Sequence, residues 1–363
     1  MVSEPVRAGS DWLALREPAD AAARSVELVE ELLSFLPEGR LVVHDLGCGT
    51  GSMARWLAPR LAGPQHWVLH DRDAALLHRV GLTPPPVSSD GVEVTVETRR
   101  GDITRLEPVG LAGASLVTAS ALLDMMTAEE LGRFVDVCAQ AVCPVLVTLS
   151  VVGRVQLTPT DPFDRVVMNA FNAHQGRDIS GGRLLGSDAA RAAVAGFTAR
   201  GLDVTVRPSP WRLAPKLSEL MAEWFTGWLG AATEQRPDLR EAAVPYARRR
   251  LDEAADGSLS VTVHHEDLLA VPRSPSRRSP AAVWTAANRT SSTSAYASPP
   301  ADTSTSSASA PTTRGRSPGP PGLQQTSQAE LLPPTGAERR RTHLAAITAT
   351  LLWSVKPCWA TFE

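Results

Sequence analysis

The chain has 363 residues, of which 43% are hydrophobic and 21% charged, so it can bury a sizeable core in one large or two ordinary domains. Its 34 Arg against 2 Lys, with abundant Ala, point to a GC-rich bacterial genome rather than to a function. Charge is uneven: residues 272–363 hold ten basic and four acidic side chains (+6), while residues 1–271 carry −9. An acidic body is poorly suited to phosphate backbones, so nucleic acid is not an expected partner. No run of 18 apolar residues exists, so no membrane partner is expected either. The first fifteen residues carry Glu4, Arg7 and Asp11 without an apolar stretch, which argues against a signal peptide; the expectation is a soluble, cytoplasmic protein.

Helical spacing of Val26, Val29, Leu32 and Leu33 predicts an opening helix over 20–36, after an N-terminal extension of residues 1–19. A first strand is expected at 41–46, a helix at 52–61, a second strand at 66–70 and a helix at 74–80. Strands at 92–98, 116–120 and 145–151 follow, with a helix at 128–141 before the last of them. A helix at 188–200, a sixth strand at 202–207, helices at 217–234 and 239–255 and a seventh strand at 259–265 complete the series. Such alternation predicts an α/β fold, a doubly wound seven-stranded sheet over residues 20–271. Insertions at about 155–186 and 210–256 would lie near a substrate pocket. Residues 272–363 form a low-complexity tail: 39 of the 50 residues from 274 to 323 are Ser, Thr, Pro, Gly or Ala. Too little apolar area exists there to offset chain entropy, so disorder is expected. The tail is either a flexible Arg-bearing extension or the product of a shifted reading frame.

The segment Asp45-Leu46-Gly47-Cys48-Gly49-Thr50-Gly51 links the first strand to an amphipathic helix. Alternating glycines allow sharp turns and close ligand approach, and the amides opening the next helix can receive polar ligand groups. Asp71 ends the second strand, where a carboxylate can accept hydrogen bonds from ribose hydroxyls. Asp102 follows the third. Gly49–Ala54 also matches a dinucleotide fingerprint, so a nicotinamide-dependent oxidoreductase is an alternative. Against it, Asp45 would repel a pyrophosphate.

The Asp45–Gly51 motif resembles the first motif of class I S-adenosylmethionine-dependent methyltransferases, over about residues 20–271. The resemblance implies a Rossmann-like methyltransferase fold, with the last strand antiparallel beside the sixth. It implies S-adenosyl-L-methionine as cofactor, with Gly47, Cys48, Gly49 and Gly51 lining its methionyl and ribose part. Asp71 and Arg72 would hold the ribose, Asp102 and Ile103 the adenine, Asp45 the ammonium, and Ser120 would lie near the transferring methyl. The expected reaction is methyl transfer to a small-molecule substrate; a non-catalytic cofactor-binding protein is the other alternative. Asp124 after the fourth strand and His174 in the first insertion are the candidate catalytic residues. Asn169, Asn172 and Trp211 are the candidate substrate-binding residues. Trp224 and Trp228 read first as helix packing. His264 and His265 are adjacent on a strand, where side chains diverge, so no metal site is expected. The oligomeric state is left open.

Overall fold

The computed structural model describes residues 9–273. The tail reading of residues 272–363 falls outside them apart from Pro272 and Arg273, as do residues 1–8 of the N-terminal extension.

Two helices open the chain, α1 (Ser10–Ala23) and α2 (Val26–Leu33), where one helix over 20–36 was expected. The chain turns extended at Arg24, and Ser25 caps α2 by accepting from the Leu28 amide. Pro18 lies inside α1, which is why the pattern read as starting beyond it. The series continues through β1 (Leu41–Leu46), α3 (Ser52–Leu57), β2 (Gln65–Asp71), α4 (Ala74–Gly81), β3 (Val94–Arg100) and β4 (Leu116–Ser120). Next come α5 (Ala128–Gln140), β5 (Val145–Thr158), α6 (Pro162–Gln175), the short pair β6 (Asp178–Ile179) and β7 (Gly182–Arg183), and α7 (Ala189–Ala199). The chain then forms β8 (Leu202–Pro208), β9 (Trp211–Leu213), α8 (Ser218–Gln235), α9 (Arg240–Asp256) and β10 (Ser260–Pro272).

Seven strands form one sheet in the order β3-β2-β1-β4-β5-β10-β8, with short β9 added against β10 as an eighth. β1 to β5 pair in parallel. β10 is antiparallel to both β5 and β8, so it lies between the fifth and sixth long strands as well as beside the sixth. The doubly wound α/β fold of the sequence reading is present. β10 runs seven residues past its expected end because Glu266 and Asp267 interrupt the apolar pattern that defines a strand in sequence. The strand absorbs them with register shifts on both sides of His265–Glu266 and gives Asp267 two backbone donors, the amides of Leu149 at 2.7 Å and Ser25 at 2.8 Å.

Three apolar cores result. One, under α2, α3 and α4, includes Trp56, Trp67 and Leu57; another, on the opposite sheet face under α5 and α7, includes Phe134, Val147 and Phe197. A third joins α1, α6, α8 and α9 around Trp211, Trp228 and Tyr246. Trp224 and Trp228 stack there at 5.3 Å. An ion-pair network stitches this cap: buried Arg250 donates to both Asp164 oxygens and to Glu253, while Tyr246 donates to Asp164 at 2.7 Å. His264 turns to Gln156 and His265 is buried edge-on to Trp211, on opposite faces of β10 as alternation requires. No helix among the described residues is long and apolar enough to cross a membrane.

Candidate functional site at the strand ends

The ends of β1, β2 and β4 meet at the glycine loop. Gly47, Gly49 and Gly51 all have positive φ (73°, 56° and 85°), which an L side chain adopts only under strain. A Cβ at Gly47 would stand 2.9 Å from Leu122 Cδ1, and one at Gly49 would stand 3.1 Å from Leu13 Cδ1. The first turn is fixed by the His70 carbonyl, which accepts from the Gly47 and Cys48 amides at 2.8 and 2.9 Å. Beneath it, His44 and His70 share a ring–ring hydrogen bond of 3.0 Å. Both rings are buried and held down to about 4, chiefly by burial, so at neutral pH the pair is uncharged.

Asp71 ends β2 facing this loop. Its Oδ2 accepts from the Gly49 amide and its Oδ1 from the Asp73 amide, both at 2.9 Å. A carboxylate has about four acceptor positions, and the bonds to Gly49 and Asp73 fill two of them. Asp45 is 1% exposed; its Oδ1 accepts from Thr118 at 2.7 Å, while Oδ2 has no partner among the described residues. Burial raises this carboxyl to about 7, against the pull of Thr118 and Arg24. Cys48 is buried, with its thiol pushed upward by burial, so it contributes shape rather than a nucleophile.

Arg24 is a part of the site that no sequence pattern marked. It is 3% exposed, and its Nη2 donates to Ser52 Oγ at 3.1 Å and Ser120 Oγ at 3.2 Å. Thr148 donates to the same Ser120 oxygen at 2.9 Å. Those partners lie 28 and 96 residues away, and only the fold brings them together. Along α1, Glu17 grips Arg55 of α3 at 2.6 and 2.7 Å, which lays the helix beside the loop.

Asp102 and Ile103 follow β3, whose end is tied to the site by the Gly101 amide donating to the Asp71 carbonyl at 3.0 Å. Asp102 is exposed and its Oδ1 is occupied by Thr104, at 3.0 Å from the amide and 2.7 Å from the hydroxyl. Arg72 is exposed. On the other side of the site, Asp124 stands four residues beyond Ser120, and burial raises its carboxyl. Its Oδ2 lies 3.4 Å from Gln175 Nε2, at the end of α6. His174 is 2% exposed and held down to about 4 by burial and by Arg177, with Nε2 lacking a partner among the described residues. The other insertion residues take structural positions. Asn169 is exposed, and Asn172 Nδ2 donates to the Gly153 carbonyl at 2.7 Å, holding a left-handed turn in β5. Trp211 is buried, its Nε1 donating to Asp20 at 3.0 Å beneath the Arg16 guanidinium.

No protein-family model and no curated protein matches the chain. Solved structures resemble it at low identity. The YcgJ protein from Bacillus subtilis is 15% identical, covering 68% of this chain and 97% of its own, with a TM-score of 0.39. A geranyl diphosphate C-methyltransferase from Streptomyces coelicolor, solved with S-adenosyl-L-homocysteine, is 14% identical, covering 68% and 79%, with a TM-score of 0.37. A cyclopropane synthase from Mycobacterium tuberculosis is 12% identical, covering 72% and 94%, with a TM-score of 0.39. Similarity of this order gives this chain neither an acceptor nor a role for any residue.

Proposed function

We propose that the chain transfers a methyl group from S-adenosyl-L-methionine to a small-molecule acceptor. The observation that carries the proposal is the arrangement at the ends of β1 and β2. There a left-handed glycine loop is pinned to Asp71 through the Gly49 amide, with a buried, half-satisfied Asp45 at its base. The residues fit the cofactor. The three glycines leave the loop without side chains, where a Cβ would crowd Leu122 at Gly47, Leu13 at Gly49 and the Arg55 guanidinium at Gly51. Asp71 keeps acceptor positions for the ribose hydroxyls, and the open Asp45 oxygen suits the ammonium. Asp102 Oδ2 and Ile103 would take the adenine, and Arg72 would flank the ribose. When bound, the cofactor supplies an electrophilic methyl on a sulfonium. The protein's part is alignment, which can lower such a barrier by about 7–11 kcal/mol.

On the acceptor side, Asp124 is the group we assign to hold or take a proton, with Gln175 Nε2 fixing its carboxylate. His174 is a second neutral acceptor deeper in α6. Asn172 and Trp211 would shape the pocket wall through their contacts to β5 and α1, and Asn169 would act only at its rim. The −9 charge of residues 1–271 favours a small molecule over nucleic acid. A nicotinamide dinucleotide is the competing ligand: Arg24 would suit its pyrophosphate, but Asp45, near enough to feel the charge of Arg24, would repel it.

Incubation with methyl-labelled S-adenosylmethionine and a fractionated bacterial extract tests the proposal. Label should pass to low-molecular-weight material; label confined to protein or RNA, or no transfer with any fraction, contradicts it.

A further inference from the structure

We propose that Arg16 anchors a carboxylate on the methyl acceptor, across the mouth of the site from Asp124, so that the acceptor is an apolar molecule carrying an acid group. The assignment rests on the methyl-transfer reading above and goes beyond it by naming the acceptor's chemical class and the residue that selects it.

α1 lies over the glycine loop: Leu13 is the side chain that a Cβ at Gly49 would meet at 3.1 Å, and Glu17 is tied to Arg55 of α3. Arg16 stands one turn beyond Leu13 on the same side of the helix. Its guanidinium is held from two sides. Nε and Nη2 donate to the two Asp20 oxygens at 2.9 and 3.1 Å, and the group lies 5.0 Å from the centre of the Trp211 ring and 6.0 Å from that of Trp12. Trp211 donates to Asp20 at 3.0 Å, so the ring and the carboxylate that hold Arg16 also hold each other. Nη1 has no partner among the described residues and is not enclosed. Unlike Arg24, which is 3% exposed, the Arg16 side chain keeps 15% of its surface open, so a ligand can reach it.

Asp124 faces the same space. Arg16 is the one charged side chain among the described residues that acts on it, without a direct ion pair between them. Met168, Phe171 and Gln175 follow one another at helical spacing on α6, and Gln175 meets Asp124. Leu13, Ala121, Met168 and Phe171 are partly exposed and pack on one core. Apolar walls with a few convergent polar groups are the general make-up of a small-molecule site. The charge balance points to an anion. Arg16 and Arg24 act on one another, and Asp20 serves both. Burial pushes Asp45, Asp124 and Asp267 towards the uncharged form, so two cations share little more than one full counter-charge. One free nitrogen suits a carboxylate oxygen; a dianionic phosphate calls for more donors than this nitrogen offers.

Label transfer by the full chain from methyl-labelled S-adenosylmethionine to a fractionated bacterial extract tests this. The small labelled products are run on an anion exchanger at pH 7 and at about pH 3, where a carboxylate is mostly protonated and a phosphate keeps one charge. The product should be retained at the first pH and released at the second. Arg16→Lys leaves Asp20 a cation but has no second nitrogen for the ligand. Half-saturation of this variant should need about 10- to 100-fold more of the accepting fraction, the size expected for a charge-assisted hydrogen bond. Its S-adenosylhomocysteine affinity should stay within about threefold of wild type. A product that is not retained at pH 7, or one still retained at the lower pH, overturns the assignment and leaves methyl transfer standing. So does Arg16→Lys with wild-type half-saturation. No transfer to any small molecule overturns the methyl-transfer reading, and the anchor with it. The product's charge is read on the wild type alone, so the test holds even if Arg16→Lys does not fold.

Discussion

Replacing Gly47 with Ala separates the two demands on the glycine loop, backbone handedness and space. Gly39 provides the reference, since it too is left-handed (φ 91°) but has nothing within 4 Å of a would-be Cβ. Gly39→Ala should therefore cost only the handedness penalty, about 1–2 kcal/mol. Gly47→Ala carries the same penalty and also places a methyl 2.9 and 3.1 Å from the two Cδ atoms of Leu122. Leu122 packs against the core under α5, so it must shift against packed neighbours; overpacking of this kind adds about 1 kcal/mol or more. Urea unfolding should place Gly47→Ala about 2–3 kcal/mol below wild type and clearly below Gly39→Ala. S-adenosylhomocysteine affinity should fall in Gly47→Ala and be retained in Gly39→Ala, which lies outside the loop. Equal stability of the two variants, with unchanged affinity in both, would refute the account of the loop.

Three further outcomes are expected. The His44–His70 pair is neutral when folded but takes up protons below about 6.5 when unfolded, so stability falls as pH drops from 6.5 towards 4, by about 2 kcal/mol per ring at pH 5. His44→Phe, which leaves His70 Nε2 buried without its partner, should lose about 1–3 kcal/mol at pH 7 and shrink the pH 7-to-5 difference in urea midpoint; a variant with the wild-type pH profile would exclude the pair as its source. Asp45 behaves oppositely. Its carboxyl is raised to about 7, so it stays protonated below that, and a ligand ammonium favours the ionised form. Affinity for S-adenosylhomocysteine should rise by up to about tenfold per pH unit towards pH 7 and then level, and Asp45→Asn should flatten the profile; a wild-type profile that is already flat contradicts the assignment. Finally, Val142 is an exposed β-branched residue at φ 52° just past α5, where glycine usually sits. Val142→Gly should gain about 0.5–1 kcal/mol in thermal or urea unfolding, and a loss would mean that the side chain has a packing role.

Much of this architecture was legible because local patterns agree with the fold. β1, the glycine loop and β2 form one apolar–turn–apolar series, and Asp71 falls where the second strand must end. The misses have physical causes. Pro18 hid the first half of α1, although a proline there removes only one donor. Glu266 and Asp267 ended the last strand in sequence because a buried acid inside a strand is costly unless its donors come from elsewhere, here the amides of Ser25 and Leu149. β9 is three residues directly after Ser209-Pro210, too short for an alternation to register. In the site, the residues proposed to hold the cofactor are marked in the sequence by one motif, the glycine loop, and by Asp71 at the end of the next strand. Arg24 is not marked, since one arginine among 34 stands beside the loop only because the fold brings Ser52 and Ser120 onto it. For Asn169, Asn172 and Trp211 the residue types suggested a polar or aromatic pocket lining. Exposure, a carbonyl of β5 and a carboxylate of α1 account for where they stand.

The most direct measurement is calorimetric titration of the full chain with S-adenosylhomocysteine and, separately, with NAD, repeated on Asp71→Ala. The account predicts micromolar binding of S-adenosylhomocysteine that is lost in the variant, with no binding of NAD. NAD binding without S-adenosylhomocysteine binding would contradict it and make the glycine loop a dinucleotide site.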